Sequence, residues 1–159
     1  MTLSDWAWLA LGAYTLHICE EYFLNWRDWA RAVIGLPVTW SDFGVVNGAV
    51  IVLGIVQAQL AATIPVLPLV YAALLLINAT LFHVGPFVRT RGRCSPGLFT
   101  AIVLFYPTAI GTYWQAASEG RLTATSVIGS LVGGALLMAM PIALVKLRGL
   151  AYFRQDRSA

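Results

Sequence analysis

The sequence predicts an all-α integral-membrane bundle: five transmembrane helices, with a short interfacial helix between the first and second. Three observations carry that expectation. The composition is 59% hydrophobic and 11% charged over 159 residues, where a soluble domain carries about 25% charged residues. The charges are also unevenly placed: residues 43–88, 94–118 and 122–145 hold no Asp, Glu, Lys or Arg. A bilayer core about 30 Å thick takes about 20 apolar residues as helix, and stretches of this length supply them. Finally, five spans laid across a membrane put nine of the ten Lys and Arg residues on one side.

The first predicted span is 5–24. It reads as a retained helix and not as a cleaved leader. MTLSD before it has no Lys or Arg, and His17, Glu20 and Glu21 interrupt the apolar run. The next stretch, NWRDWARAVIGLPVTWS, places Trp26, Trp29, Trp40, Arg27 and Arg31 where headgroups would lie. It reads as a short amphipathic helix on the membrane surface, ending near Gly35 and Pro37. The second and third spans are 42–63 and 66–88, the latter beginning and ending among prolines. The fourth, 97–117, has Pro107 near its middle and is expected to kink there. The fifth, 124–147, carries Gly129 and Gly133 four apart, with Gly134 beside them. Small residues so spaced let helices approach closely, within the bundle or against a second copy in a homo-oligomer. The whole chain, 1–159, reads as one membrane domain.

Arg27, Arg31, Arg89, Arg91, Arg93, Lys146, Arg148, Arg154 and Arg157 share one side, and Arg121 alone takes the other. The positive-inside rule then puts the N-terminus outside and the C-terminus in the cytoplasm, with the cell (inner) membrane as the location. The net charge of +3 belongs to these span ends, so membrane lipids and not nucleic acid are the expected partners. Cys19 and Cys94 have no zinc-ribbon or redox spacing. Trp6, Trp8, Trp26, Trp29, Trp40 and Trp114 read mostly as an aromatic belt, with one or two rings facing a cavity.

On this frame the polar residues gather in one leaflet. His17, Glu20 and Glu21 lie in the last turns of the first span. Asp42 and Asn47 lie in the first turns of the second, and Asn78 and His83 near the end of the third. His17 and Glu20 are i, i+3, and His17 and Glu21 are i, i+4, so both carboxylates can lie beside the histidine. Each residue also has a plain reading. The glutamates can be the wet end of a helix paired with Arg27 or Arg31. Asp42 after Ser41 can be a cap. The histidines, Asn47 and Asn78 can be interhelical hydrogen-bond partners. Their shared depth favours one site, since ionisable groups inside a membrane are functional candidates.

HICEE at 17–21 resembles the motif of the HXXEE domain family, small bacterial membrane proteins without an assigned function. His83 matches that family's second histidine. Cys94-Ser95-Pro96-Gly97 keeps the Pro-Gly of its Tyr-x-Pro-Gly motif, with cysteine in place of tyrosine. The resemblance implies no activity.

Chemically, His17, Glu20, Glu21 and His83 offer nitrogen and oxygen ligands suited to a divalent zinc, iron or manganese ion. Three of them would leave a position open for water or substrate. A remaining carboxylate, from Glu20, Glu21 or Asp42, would act as base, and Asn47 and Asn78 would bind the substrate. Such a site suits a lipid-like or isoprenoid-like molecule. Two alternatives remain. One is a metal-free isomerase or cyclase in which a glutamate kept from water trades protons with histidine. The other is a non-enzymatic small transporter or membrane partner subunit, with Gln57, Gln59 and Gln115 as the only polar steps farther out.

Overall fold

Reciprocal hydrogen bonds start the first helix. Thr2 Oγ1 accepts from the Asp5 amide at 3.2 Å, and the Asp5 carboxylate accepts from the Thr2 amide at 2.7 Å. This satisfies amides that a helix start leaves without partners. Helix α1 then runs Leu3–Phe23. The computed structural model describes residues 1–148 and Leu150, and α1 is followed in it by α2 (26–34), α3 (Trp40–Leu60), α4 (Val66–Arg89), α5 (98–118) and α6 (Ala124–Arg148). No strand occurs among the described residues. Arg154, Asp156 and Arg157, used in the charge reading, lie outside them.

The helices therefore follow the expected spans to within a few residues. Three of them, Trp40–Leu60, Val66–Arg89 and Ala124–Leu147, are long and apolar enough to cross a membrane. By length and composition the five expected spans thus stand at three. The apolar run of α1 is interrupted by His17, Glu20 and Glu21, and α5 carries Tyr106, Thr108, Thr112 and Gln115.

Helix α4 is the hub. Leu69, Tyr71, Ala72, Ala73, Leu74 and Leu75 are all buried, and α4 packs against α1, α3, α5 and α6. Its approach to α6 uses two of the glycines. A Cβ on Gly134 would stand 2.7 Å from Ala73 Cβ and 2.8 Å from the Leu74 amide, and one on Gly133 would meet Val70 at 3.0 Å. Gly133 is thus placed against its own chain, while Gly129 faces open space.

Pro107 does not break α5. A π-helical turn, Ala101–Phe105, lies just before it, and another, Ala79–Val84, lies just before Pro86 in α4. Proline has no N–H to give and its ring crowds the preceding turn, so widening that turn relieves the clash and keeps the helix continuous. Both wide turns fall beside the site described below: His83 is in one, and Thr100 immediately precedes the other.

Helix α2 opens with Trp26–Trp29, widens into Ala30–Ile34 and stops at Gly35, whose φ of +68° suits a residue without Cβ. It is anchored inward: Trp26 and Ala30 are buried against Val38 and Phe43. Of the six tryptophans, Trp6 and Trp26 turn inward. Trp8 and Trp114 are exposed, but Trp6 lies over Gly111 so closely that a Cβ there would collide with the ring. The start of α3 is capped by Thr39, with Asp42 completing the box, so the capping reading of Asp42 holds. Asp42 accepts from the Thr39 amide (2.8 Å) and hydroxyl (2.7 Å), and Thr39 Oγ1 accepts from the Asp42 amide.

Candidate functional site

The i, i+4 spacing of His17 and Glu21 places both on the face of α1 that turns into the bundle, and both are buried. His83 arrives from the wide turn of α4, fully buried. Glu21 Oε1 lies 3.5 Å from His17 Nε2 and 3.5 Å from His83 Nε2. The two imidazoles stand nearly perpendicular, with centroids 4.7 Å apart. The three ligand atoms lie within 4.8 Å of one another, a cluster able to hold a metal ion.

Glu20, about 100° farther around α1, does something else. Its Oε1 accepts from the backbone amides of Gly97 (3.0 Å) and Phe99 (3.4 Å), and its Oε2 from the amide (2.9 Å) and hydroxyl (2.6 Å) of Thr100. Helix α5 has no side-chain cap from its own sequence, so a carboxylate from α1 supplies it. The negative charge also suits the positive end of the helix dipole. Arg27, a partner considered for the glutamates, pairs instead with Asp28 at 2.6 Å. The Asn25 side chain and then Arg27 hold the exposed Asp28 carboxyl below its usual range.

Counting donors fixes a tautomer. Thr100 has one hydroxyl proton, and its 2.6 Å contact to the acceptor-only Glu20 carboxylate takes it. Thr100 Oγ1 must then accept from His17 Nδ1, 2.9 Å away. Neutral His17 is therefore protonated on Nδ1 and turns a lone pair on Nε2 towards Glu21. His83 Nδ1 lies 2.9 Å from Ser95 Oγ, a contact in which either atom can be the donor. The Nε2 atoms of both histidines are buried and make no hydrogen bond.

Gly97 closes the site from beneath. Its φ is +89°, and a Cβ there would stand 2.7 Å from both His17 Cε1 and His83 Cε1 and 2.9 Å from Glu21 Cγ. Pro-Gly thus brings the chain into α5 at a position where no side chain fits.

On its other side Glu21 lines a cavity of about 60 Å³ among α1, α3, α4 and α6, shared with Asp42, Asn47, Asn78 and Tyr14. The Tyr14 hydroxyl donates to Asn47 Oδ1, and Asn47 Nδ2 donates to Phe43 O at 2.9 Å. Asn78 Nδ2 points at Met138 Sδ, 3.8 Å away, and Asn78 Oδ1 is buried without a partner. The structure thus brings His17, Glu21 and His83 into one cluster, and Asp42, Asn47 and Asn78 onto the adjoining wall. Glu20 sits apart, at the helix start. Sequence reasoning passed over Tyr14 and Thr100. Tyr14 could have been found, since residues 14, 17 and 21 form one stripe on α1. Thr100 carried no comparable signal.

Cys94, at the position of the motif's tyrosine, is exposed, with a free thiol 4.0 Å from Gly92 O. Gln57 is occupied at a helix contact, donating to Ala7 O at 2.9 Å.

The fold and site define an all-helical bundle in which two histidines and a glutamate from two helices are buried together. The chain belongs to the family described as "Protein of unknown function with HXXEE motif", which matches residues 8–112. Those residues contain HICEE, His83 and Pro96-Gly97. No curated protein and no solved structure matches the chain.

Proposed function

We propose that the chain is an integral membrane enzyme with a divalent metal held by His17 Nε2, His83 Nε2 and Glu21 Oε1, acting on a lipid-like or isoprenoid-like molecule in the adjoining cavity. One observation carries the reading: two imidazole Nε2 atoms and a carboxylate oxygen, all buried and brought together from α1 and α4, face one another, and neither histidine Nε2 has a hydrogen-bond partner. The lone pair of His17 Nε2 and the Glu21 carboxylate repel unless a cation or a proton lies between them. Ligands on one tetrahedral ion stand about 3.3 Å apart, from bond lengths near 2.0–2.1 Å. The two separations to Glu21, 3.5 Å each, are close to that. The outer hydrogen bonds, His17 to Thr100 and on to Glu20, and His83 to Ser95, are of the kind that orient metal-binding imidazoles.

In this reading α1, α3, α4, α5 and α6 span the inner membrane and α2 lies at its cytoplasmic face, with the N-terminus outside. The exposed Leu16, Val45, Val52, Leu81, Phe99, Ile110 and Leu136 support a lipid-facing exterior. Glu20, both of whose oxygens are engaged at the start of α5, is a positioning residue. Asp42 is the second carboxylate on the cavity wall and the candidate base for a bound substrate. The metal, when bound, supplies Lewis acidity and an open coordination position.

Metal analysis of the intact purified protein tests this. One zinc, iron or manganese per chain is expected, lost in Glu21→Ala and His17→Ala. Equal, sub-stoichiometric metal in all three proteins refutes the metal centre and leaves a proton shared by Glu21 and the histidines.

A further inference from the structure

A second hollow adjoins the Glu21 cavity. It measures about 320 Å³ and lies between the end of α2, the second half of α4 and α6, lined by Ile34, Leu81, Pro86 and Ile142. Leu36 and Phe82 line both spaces, where the two adjoin. At the outer rim stands Arg89, exposed, its guanidinium making one long hydrogen bond to Val33 O at 3.4 Å. Arg89 has no ion pair among the described residues. At the inner end are Glu21 and the unpartnered Asn78 Oδ1. The combined space is therefore basic at its outer rim, apolar through its middle and polar at its inner end.

We infer that this paired hollow binds a single-chain amphiphile with an anionic head group. The head lies on Arg89, and the chain runs through the outer hollow and past Leu36 and Phe82 towards Glu21. Charge complementarity selects the head, because a guanidinium is matched by phosphate or carboxylate oxygens. Size selects the rest. The inner cavity holds a few carbons, so the remaining chain occupies the outer hollow. Asn78 Oδ1 accepts from a hydroxyl on the segment that enters. The inference rests on the proposed reading of Glu21 as the reacting end.

The test uses the full chain in nanodiscs of zwitterionic lipid. Dodecyl phosphate, dodecyltrimethylammonium and inorganic phosphate are titrated, and metal content is measured on the same samples. Dodecyl phosphate is expected to bind at least about tenfold more tightly than either of the others. Arg89→Gln should abolish that preference, and Leu36→Trp, which fills the space where the two hollows adjoin, should weaken binding with metal content unchanged. Equal binding of the two amphiphiles, or a preference that survives Arg89→Gln, overturns the inference. Tight phosphate binding without the chain overturns it too. Head-group selectivity without metal leaves the inference standing and removes the metal centre. Metal without selectivity does the reverse.

Discussion

Replacing Gly97 by alanine tests the site at the point where its three residues converge. The backbone there has φ +89°, a conformation costing a residue with Cβ about 1–2 kcal/mol. The new Cβ would stand 2.7 Å from each imidazole Cε1 and 2.9 Å from Glu21 Cγ, well inside ordinary contact. Forcing a methyl into a packed interior adds about 1–3 kcal/mol. The sum is about 2–5 kcal/mol, and at about 2–4 °C per kcal/mol for a chain of this size the melting temperature should fall by several degrees or more. Gly92→Ala is the control. Gly92 also has a positive φ, +105°, but nothing lies within 4 Å of its Cβ position, so it carries the backbone cost alone. The measurement is thermal unfolding in one neutral detergent, with cobalt or zinc titration of each variant. The steric part is the difference between the two variants, and only Gly97→Ala should also weaken metal binding. Equal melting temperatures for the two, with unchanged metal affinity, would refute the packing of Gly97 against the cluster.

Thr100→Val removes the hydroxyl between Glu20 and His17; metal affinity should drop by about 10–100-fold, Thr100→Ser should restore most of it, and a titration showing all three proteins alike would contradict the relay. At the far end of the bundle Glu119 accepts from Gln115 Nε2 (3.0 Å) and the Leu3 amide (3.0 Å) and pairs with Arg121 (3.2 Å). Gln115 foremost, with Leu3 and Arg121 and against a smaller effect of burial, holds its carboxyl below the usual range. The stabilisation is therefore complete above the ordinary glutamate pKa and is lost as pH falls through the lower folded value. Melting curves from pH 7 to about pH 3 should show an acid-limb loss that is smaller in Glu119→Gln; superimposable curves would rule this out. Gly134→Leu should destabilise strongly, since Ala73 and the Leu74 backbone block its Cβ, whereas Gly129→Leu should leave the monomer's melting unchanged. If Gly129→Leu alters the oligomeric state by light scattering, its open face contacts a second copy.

By itself the sequence determined where the helices run. Long charge-free stretches of about 20 residues were read as helices, and each observed helix lies within a few residues of the stretch so read. It also determined that His17 and Glu21 share a face, because i, i+4 spacing is a local property of the helix. The cap at Asp42 was half legible: the acid was recognised, but its partner proved to be Thr39, because the chain stays extended through that residue before α3 begins.

Only the tertiary structure decided the rest. Adjacent glutamates diverge by one helical step, and their fates differ because α4 lies on one side of α1 and the start of α5 on another. Glu21 therefore meets His83, while Glu20 caps α5 at Gly97, 77 residues later. Gly97 was legible only as part of a Pro-Gly motif, yet the backbone there passes too close to His17, His83 and Glu21 for any side chain. Thr100 carried no signal because its role depends on contacts from α1, 80 and 83 residues away in sequence. Local spacing fixes which residues share a helix face; which faces meet is a matter of packing, and packing is what turned HICEE into one cap and two members of a cluster.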